Sequence, residues 1–293
     1  MTASNQNTDR NMPVQNLNAL AEQAVSIAEA AGREILSIYA AGFDVEAKSD
    51  DSPLTTADKA AHALINARLS ELTPTLPIIS EEGGIPDFTE RQTWQRYWLV
   101  DPLDGTREFI KRNGEFTVNI ALIEGHQPVI GVVHAPVLSR TYVGVANFGD
   151  NVPVPNRWAQ RRDTEGERAI TSRSAPEDQL TLVVSRSHRS PGVEELLERL
   201  PAFETISMGS SLKFCLVAEG AADCYPRFGP TSEWDSGAAQ CIVEAAGGAV
   251  IQPDSKPLSY NTKASTLNPN FVVIGDPSWR WNTVLADLAI EPR

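Results

Sequence analysis

Leu20, Ala24, Ile27, Ala31, Ile35 and Ile38 recur at intervals of three and four. That period predicts a helix with one buried stripe, ended by Gly42. After a polar stretch from Lys48 to Pro53, Ala61, Ile65, Leu69 and Leu72 mark a second helix. Thr55 or Thr56 is its expected cap, and Asp58 lies in its first turn. Leu76–Ile79 and Tyr97–Val100 are short apolar runs that read as strands. From Phe116 the period becomes two: Phe116, Val118, Ile120 and Leu122 alternate with Thr117, Asn119 and Ala121. A turn at 124–128 leads into two more strands, at 129–137 and 141–146. The first half thus reads as two helices on an antiparallel sheet.

Residues 147–167 show no period and are rich in Pro, Asn and charge, so the expectation there is a long exposed loop. Beyond it strands and helices alternate, as in an α/β unit. Strands are expected at 180–185, 222–228, 248–251 and 271–275, and helices at 191–200, 210–220, 234–248 and 278–289. The expected organisation is a disordered tail at 1–13, an α+β half at 14–167 that includes the loop, and an α/β half at 168–293.

The length, 293 residues, suits one large domain or two ordinary ones. Apolar residues make up 41% and charged residues 22%, the balance of a globular chain with a full core. With 25 Lys+Arg against 38 Asp+Glu, the net charge of −13 argues against a protein that coats nucleic acid. A small anionic ligand still fits if something local reverses the sign. No apolar run approaches the ~20 residues of a membrane span, and the polar N-terminus reads as the tail of a cytosolic protein. Cys215, Cys224 and Cys241 sit in apolar segments and read as buried reduced thiols.

Candidate chemistry concentrates in a few places. Asp101-Pro102-Leu103-Asp104-Gly105-Thr106 delivers two carboxylates at the end of a buried strand. Pro102 stiffens the bend and Gly105 permits a turn that a side chain would block. Two acids followed by bare amides suit a metal that bridges protein to phosphate. An Asp-rich turn that caps a helix accounts for the same spacing. Glu81 and Glu82 end another strand, and neighbouring side chains there face opposite ways, so one Glu can look into a site. A solvated loop explains that pair equally. Asp235 opens a helix of small residues, either as its cap or as a third arm of a metal site. His62 follows Asp58 by one turn, but the four histidines are spread widely, which disfavours zinc. A carboxylate-only set points to hard cations: Mg²⁺, then Mn²⁺. His188, Ser210, Ser211, Lys213 and Arg227 are cationic and hydroxyl groups beside apolar segments, either plain surface polarity or contacts for a second phosphate.

The order Glu81-Glu82, Asp101–Thr106, Trp234-Asp235 and Glu244–Gly248 resembles the lithium-sensitive, Mg²⁺-dependent phosphatases of the inositol monophosphatase superfamily. The stretches 97–122, 183–188 and 209–220 are similar to one branch, the 3′(2′),5′-bisphosphate nucleotidases. The resemblance runs from about Leu17 to Ile274. It implies a layered α-β-α-β-α sandwich. It also implies two or three Mg²⁺ ions held by Glu81, Asp101, Asp104, Asp235 and the Leu103 carbonyl, with Asp58 serving a further ion or its waters. Thr106 and Glu81 would orient and deprotonate the attacking water. The Gly105 and Thr106 amides would bind the phosphate to be removed, and Asp235 would lie against the substrate.

The implied activity is removal of the 3′-phosphate of 3′-phosphoadenosine 5′-phosphate, giving AMP, with its sulfated form as a further substrate. Hydrolysis of inositol monophosphate or another sugar phosphate is the alternative within the superfamily. A non-catalytic phosphonucleotide-binding protein is the alternative outside it, but the presence of every ligand and water-orienting residue disfavours that. The 147–167 segment is longer than this branch leads one to expect. Oligomeric state is not legible. Proteins of this branch are sometimes described as peripheral to the cytoplasmic face of the inner membrane, and nothing basic or amphipathic here argues for it.

Overall fold

A computed structural model describes residues 14–47, 53–146, 157–184 and 191–288. The chain opens with α1 (Val14–Ala41), the antiparallel pair β1 (Val45–Ala47) and β2 (Pro53–Thr55), and α2 (Thr56–Leu72). Next come β3 (Ile78–Ser80), α3 (Phe88–Arg91), β4 (Arg96–Asp104) and α4 (Thr106–Ile110). The strands β5 (Thr117–Glu124), β6 (Gln127–Ala135), β7 (Arg140–Val145), β8 (Trp158–Asp163) and β9 (Gly166–Ala169) follow as a meander. The rest comprises β10 (Gln179–Val184), α5 (Pro191–Arg199), β11 (Ala202–Ser207), α6 (Leu212–Ala218) and β12 (Cys224–Arg227). It closes with α7 (Glu233–Ala245), β13 (Ala249–Ile251), β14 (Phe271–Ile274) and α8 (Trp281–Leu285).

Two sheets result. The first has seven strands in the order β3-β4-β5-β6-β7-β8-β9, antiparallel except for the parallel β3–β4 pair. The second has five in the order β11-β10-β12-β14-β13, with parallel and antiparallel pairs mixed. The strand period assigns side chains to layers. Trp98, Val100, Val118, Ile120 and Leu122 pack outward under α1 and α2. Their neighbours Tyr97, Leu99, Ala121 and Ile123 pack inward against α6 and α7, where Val183, Tyr225 and Val273 of the second sheet meet them. Leu182, Val272 and Ile274 face the far side, under α5 and α8. The outcome is the expected α-β-α-β-α sandwich.

Local signals act as anticipated at several ends. Gly42 takes φ +99° and its N–H closes on Ile38, stopping α1. Thr55 caps α2 in a reciprocal box with Asp58. The three cysteines are buried free thiols.

The expected long loop at 147–167 requires correction. Residues 147–156 lie outside the described residues, as does the tail at 1–13, but 158–169 form a hairpin that extends the sheet edge, with Arg161 opposite Arg168 and Arg162 opposite Glu167. The division expected after 167 therefore falls inside β9. No apolar alternation announces this hairpin because ion pairs hold much of it. Arg161 bridges Asp163 and Glu219 at 2.7 and 2.9 Å, and Arg162 reaches Glu22. The strand β11 carries no apolar alternation in sequence, since its side chains are mostly exposed.

The middle helix α7 lies so close to the first sheet that glycines are required there. A Cβ on Gly131 of β6 would sit 2.0 Å from the Ala238 carbonyl oxygen, and one on Gly144 of β7 would sit 2.8 Å from the Ile242 Cα. Gly131→Ala must push α7 off the sheet. We expect it to destabilise the protein by about 3 kcal/mol or more, read in thermal or denaturant unfolding. A variant of unchanged stability would show that α7 does not pack at this distance.

Candidate active site

Asp101 and Asp104 are three residues apart, so on a regular strand they would face opposite sides. In β4 they do not. Asp101 pairs with Asn119 and Asp104 with Thr117, so three steps on β4 match two on β5. The one-residue bulge turns both carboxylates to the same face. Pro102, which has no N–H for the ladder, sits within it. Gly105 follows at φ +93°, where a Cβ would also press on the Glu115 carbonyl at 3.2 Å. This glycine sends the chain into α4 and leaves the Gly105 and Thr106 N–H groups ahead of the first intrahelical bond, from Phe109 N–H to the Gly105 carbonyl.

Asp235 arrives from α7. It is the third residue of a capping box, its Oδ2 accepting the Ser232 N–H at 2.8 Å. The cap explanation is correct, and the same carboxylate also joins the cluster: ligand oxygens of Asp101, Asp104 and Asp235 lie within 4.8 Å of one another. Glu81, at the end of β3, shares a hydrogen bond with Asp101. Glu81, Asp101, Leu103, Asp104, Gly105, Thr106 and Asp235 line one cleft of about 780 Å³. Asp58 reaches it through Thr106, whose hydroxyl donates toward Asp58 Oδ1 at 3.3 Å and lies 3.4 Å from the Leu103 carbonyl. His62 stays outside the cluster. It bonds Ser80 and Asn66, and burial lowers its pKa.

Burial pushes the Asp101 carboxyl well above the usual range, and Glu81, Asp104 and Asp235 add like-charge repulsion. The same causes, burial first and Asp104 next, push Asp235 up to about 7. An oxygen-only donor set that repels itself this strongly fits a hard divalent cation.

A second cavity, of about 360 Å³, adjoins the first, and Asp104, Gly105, Arg227 and Asp235 line both. Lys213 lies on its wall, largely buried, with Nζ 2.6 Å from the Ser210 carbonyl and 5.4 Å from the centre of the Tyr225 ring. Arg227 donates to the Pro230 carbonyl at 2.7 Å. Ser210 and Ser211, expected to meet substrate, turn their hydroxyls to Asp104 Oδ2 at 2.7 and 2.8 Å. His188 lies outside the described residues. Arg107, Lys111 and Tyr225 also line this cavity and were not anticipated. Arg107 follows the acidic motif directly and Lys111 stands one turn later, the one signal that could have marked them.

A model of the inositol monophosphatase family matches residues 16–289. The 3′(2′),5′-bisphosphate nucleotidase CysQ of Salmonella typhimurium is 48% identical over 254 residues, 86% of this chain and 98% of that protein. CysQ of Escherichia coli K12 is 46% identical over the same shares. The crystal structure of CysQ from Bacteroides thetaiotaomicron, 42% identical, superposes with a TM-score of 0.74 over 88% of this chain and 97% of that one.

Carboxyl groups whose folded pKa stands above the unfolded value keep protons that the unfolded chain has lost. Their stabilising effect is full below about pH 4 and is lost as pH rises through about 7. The metal-free protein should therefore melt at falling temperature between pH 5 and pH 8. A divalent cation needs the ionised carboxylates, so it should raise the melting temperature more at pH 8 than at pH 5. Equal increments at both pH values would remove these carboxylates from the binding site.

Proposed function

The chain belongs to the inositol monophosphatase family, and from that premise we infer that it is a 3′(2′),5′-bisphosphate nucleotidase that removes the 3′-phosphate of 3′-phosphoadenosine 5′-phosphate. The observation that carries this reading is the shared wall of the two cavities, which sets the acidic cluster beside a cleft where Arg107, Lys111, Lys213 and Arg227 stand among the acids Glu108 and Glu115. A bisphosphate needs both at once. A simple monophosphate needs only the first.

Glu81, Asp101, Asp104, Asp235 and the Leu103 carbonyl would hold two Mg²⁺ ions, with Asp58 serving a third or its waters. When bound, Mg²⁺ offsets phosphate charge, acidifies water and stabilises the leaving alkoxide. The Thr106 hydroxyl, aimed by Asp58 and the Leu103 carbonyl, orients the attacking water. Glu81 takes the water proton. The Gly105 and Thr106 amides bind the phosphoryl oxygens, where charge spreads during in-line transfer. In a chain of net charge −13, the second phosphate needs a cationic pocket. Lys213 supplies a point charge there and Arg227 a planar fork.

Asp104→Asn and Asp235→Asn should each abolish phosphate release while the protein stays folded, because the amide keeps the shape and removes the charge. Release near the wild-type rate would take that residue out of the site. Thr106→Val should retain metal affinity yet lose ~10²–10⁴-fold in rate. Collapse of both together would make Thr106 a structural cap. Lys213→Ala should impair bisphosphate hydrolysis roughly ten- to a hundredfold more than monophosphate hydrolysis. A wild-type preference for inositol 1-phosphate in a substrate panel would defeat the nucleotidase assignment. Activity without Mg²⁺, or in EDTA, would defeat the choice of metal.

A further inference from the structure

We propose that Thr117, Asn119, Ser210 and Ser211 form a positioning cluster that holds the Asp104 carboxylate in its metal-binding orientation; the proposal rests on the metal reading above. The hydrogen bonds that Asp104 receives from the described residues all end on one oxygen, Oδ2. The Ser211 N–H donates at 2.6 Å, the Ser210 hydroxyl lies at 2.7 Å, the Asn119 amide at 3.4 Å, and the Ser211 hydroxyl at 2.8 Å, its one proton shared with the Asp235 carbonyl at 2.7 Å. The other oxygen, Oδ1, would be the one available to a cation.

Behind these donors stands a further tier. The Asn119 amide donates to the Ser211 hydroxyl at 2.9 Å, and the Thr117 hydroxyl lies 2.9 Å from Asn119 Oδ1. The Thr117 and Ser210 hydroxyls lie 2.6 Å apart. Thr117, Asn119 and Ser211 are at most 1% exposed, so water does not supply substitutes. The register explains the convergence. Thr117 and Asn119 are the β5 partners of Asp104 and Asp101, and the β4 bulge puts all four on one face.

Ser210 supplies an independent argument. Its φ is +54°, a left-handed conformation in which a side chain is strained and glycine is at ease. The preceding Gly209 is pinned by its N–H to Glu115 Oε2 at 2.8 Å. Backbone shape alone would favour glycine at 210. A serine there is explained by its hydroxyl, which bonds Asp104.

Partners that orient a metal ligand typically change metal affinity 10–100-fold when removed. Ser210→Gly separates the two roles, because it relieves the backbone while deleting the hydroxyl. Mg²⁺ and Mn²⁺ are titrated calorimetrically into metal-free Ser210→Gly, Asn119→Ala and wild-type protein, and the melting temperature of each metal-free form is recorded. The expected result is at least tenfold weaker binding in Ser210→Gly with a melting temperature unchanged or raised, and a similar loss of affinity in Asn119→Ala. Wild-type affinity in Ser210→Gly would overturn the proposal whatever Asn119→Ala does. So would weaker binding accompanied by a lower melting temperature, since Ser210 would then shape its loop and not direct the carboxylate. Wild-type protein that takes up neither ion would overturn the metal reading and this proposal together, without touching the substrate assignment of the cleft.

Discussion

Like charges in one buried cleft are the constraint around which this molecule is arranged. Asp101 is almost fully buried and lies against Glu81, Asp104 and Asp235. Such a set opposes its own ionisation, and a cation that binds the ionised form reverses the sign of the whole cleft. Folding must therefore gather these carboxyl groups against both burial and mutual repulsion. The fold does so with backbone. A bulge aims two of them, a strand end carries Glu81, and a helix cap grips Asp235.

The second sheet completes what the first begins. The loop before α6 reaches across to Asp104, and the same turn places Lys213 on the neighbouring wall. Helix α7, packed onto β4, β5, β6 and β7, brings Asp235. The glycines at 131 and 144 allow that approach, so packing in the middle layer sets the distance between Asp235 and the carboxylates of β4. The acidic cluster and the cleft that holds Lys213 and Arg227 are consequently built together, and a substrate spanning both would contact elements of both sheets.

Structure and sequence pattern part company where burial is weak. The hairpin at 158–169 lacks an apolar face because Arg161 and Arg162 are anchored by acids from α1 and from the end of α6, remote in sequence. The edge strand β11 is mostly exposed, so its pattern carries little signal. In sequence Ser210 and Ser211 are polar groups near a cation, and nothing local names their partner, since Asp104 is more than a hundred residues away.

By itself, the sequence determined the helices α1 and α2, the alternating strands of the first sheet, the capping of α2, the oxygen-only character of the donor set and the family to which the chain belongs. These are local matters of period, turn chemistry and motif, and a short window contains all the information they need. Only the tertiary structure decided that Asp101 and Asp104 share a face, that Asp235 is cap and cluster member together, and that the two serines serve a carboxylate. Each of those depends on register or on contact between distant segments. A strand's side-chain period is two, so a single bulged residue reverses which face a carboxylate occupies, and no composition or spacing in β4 alone reports it.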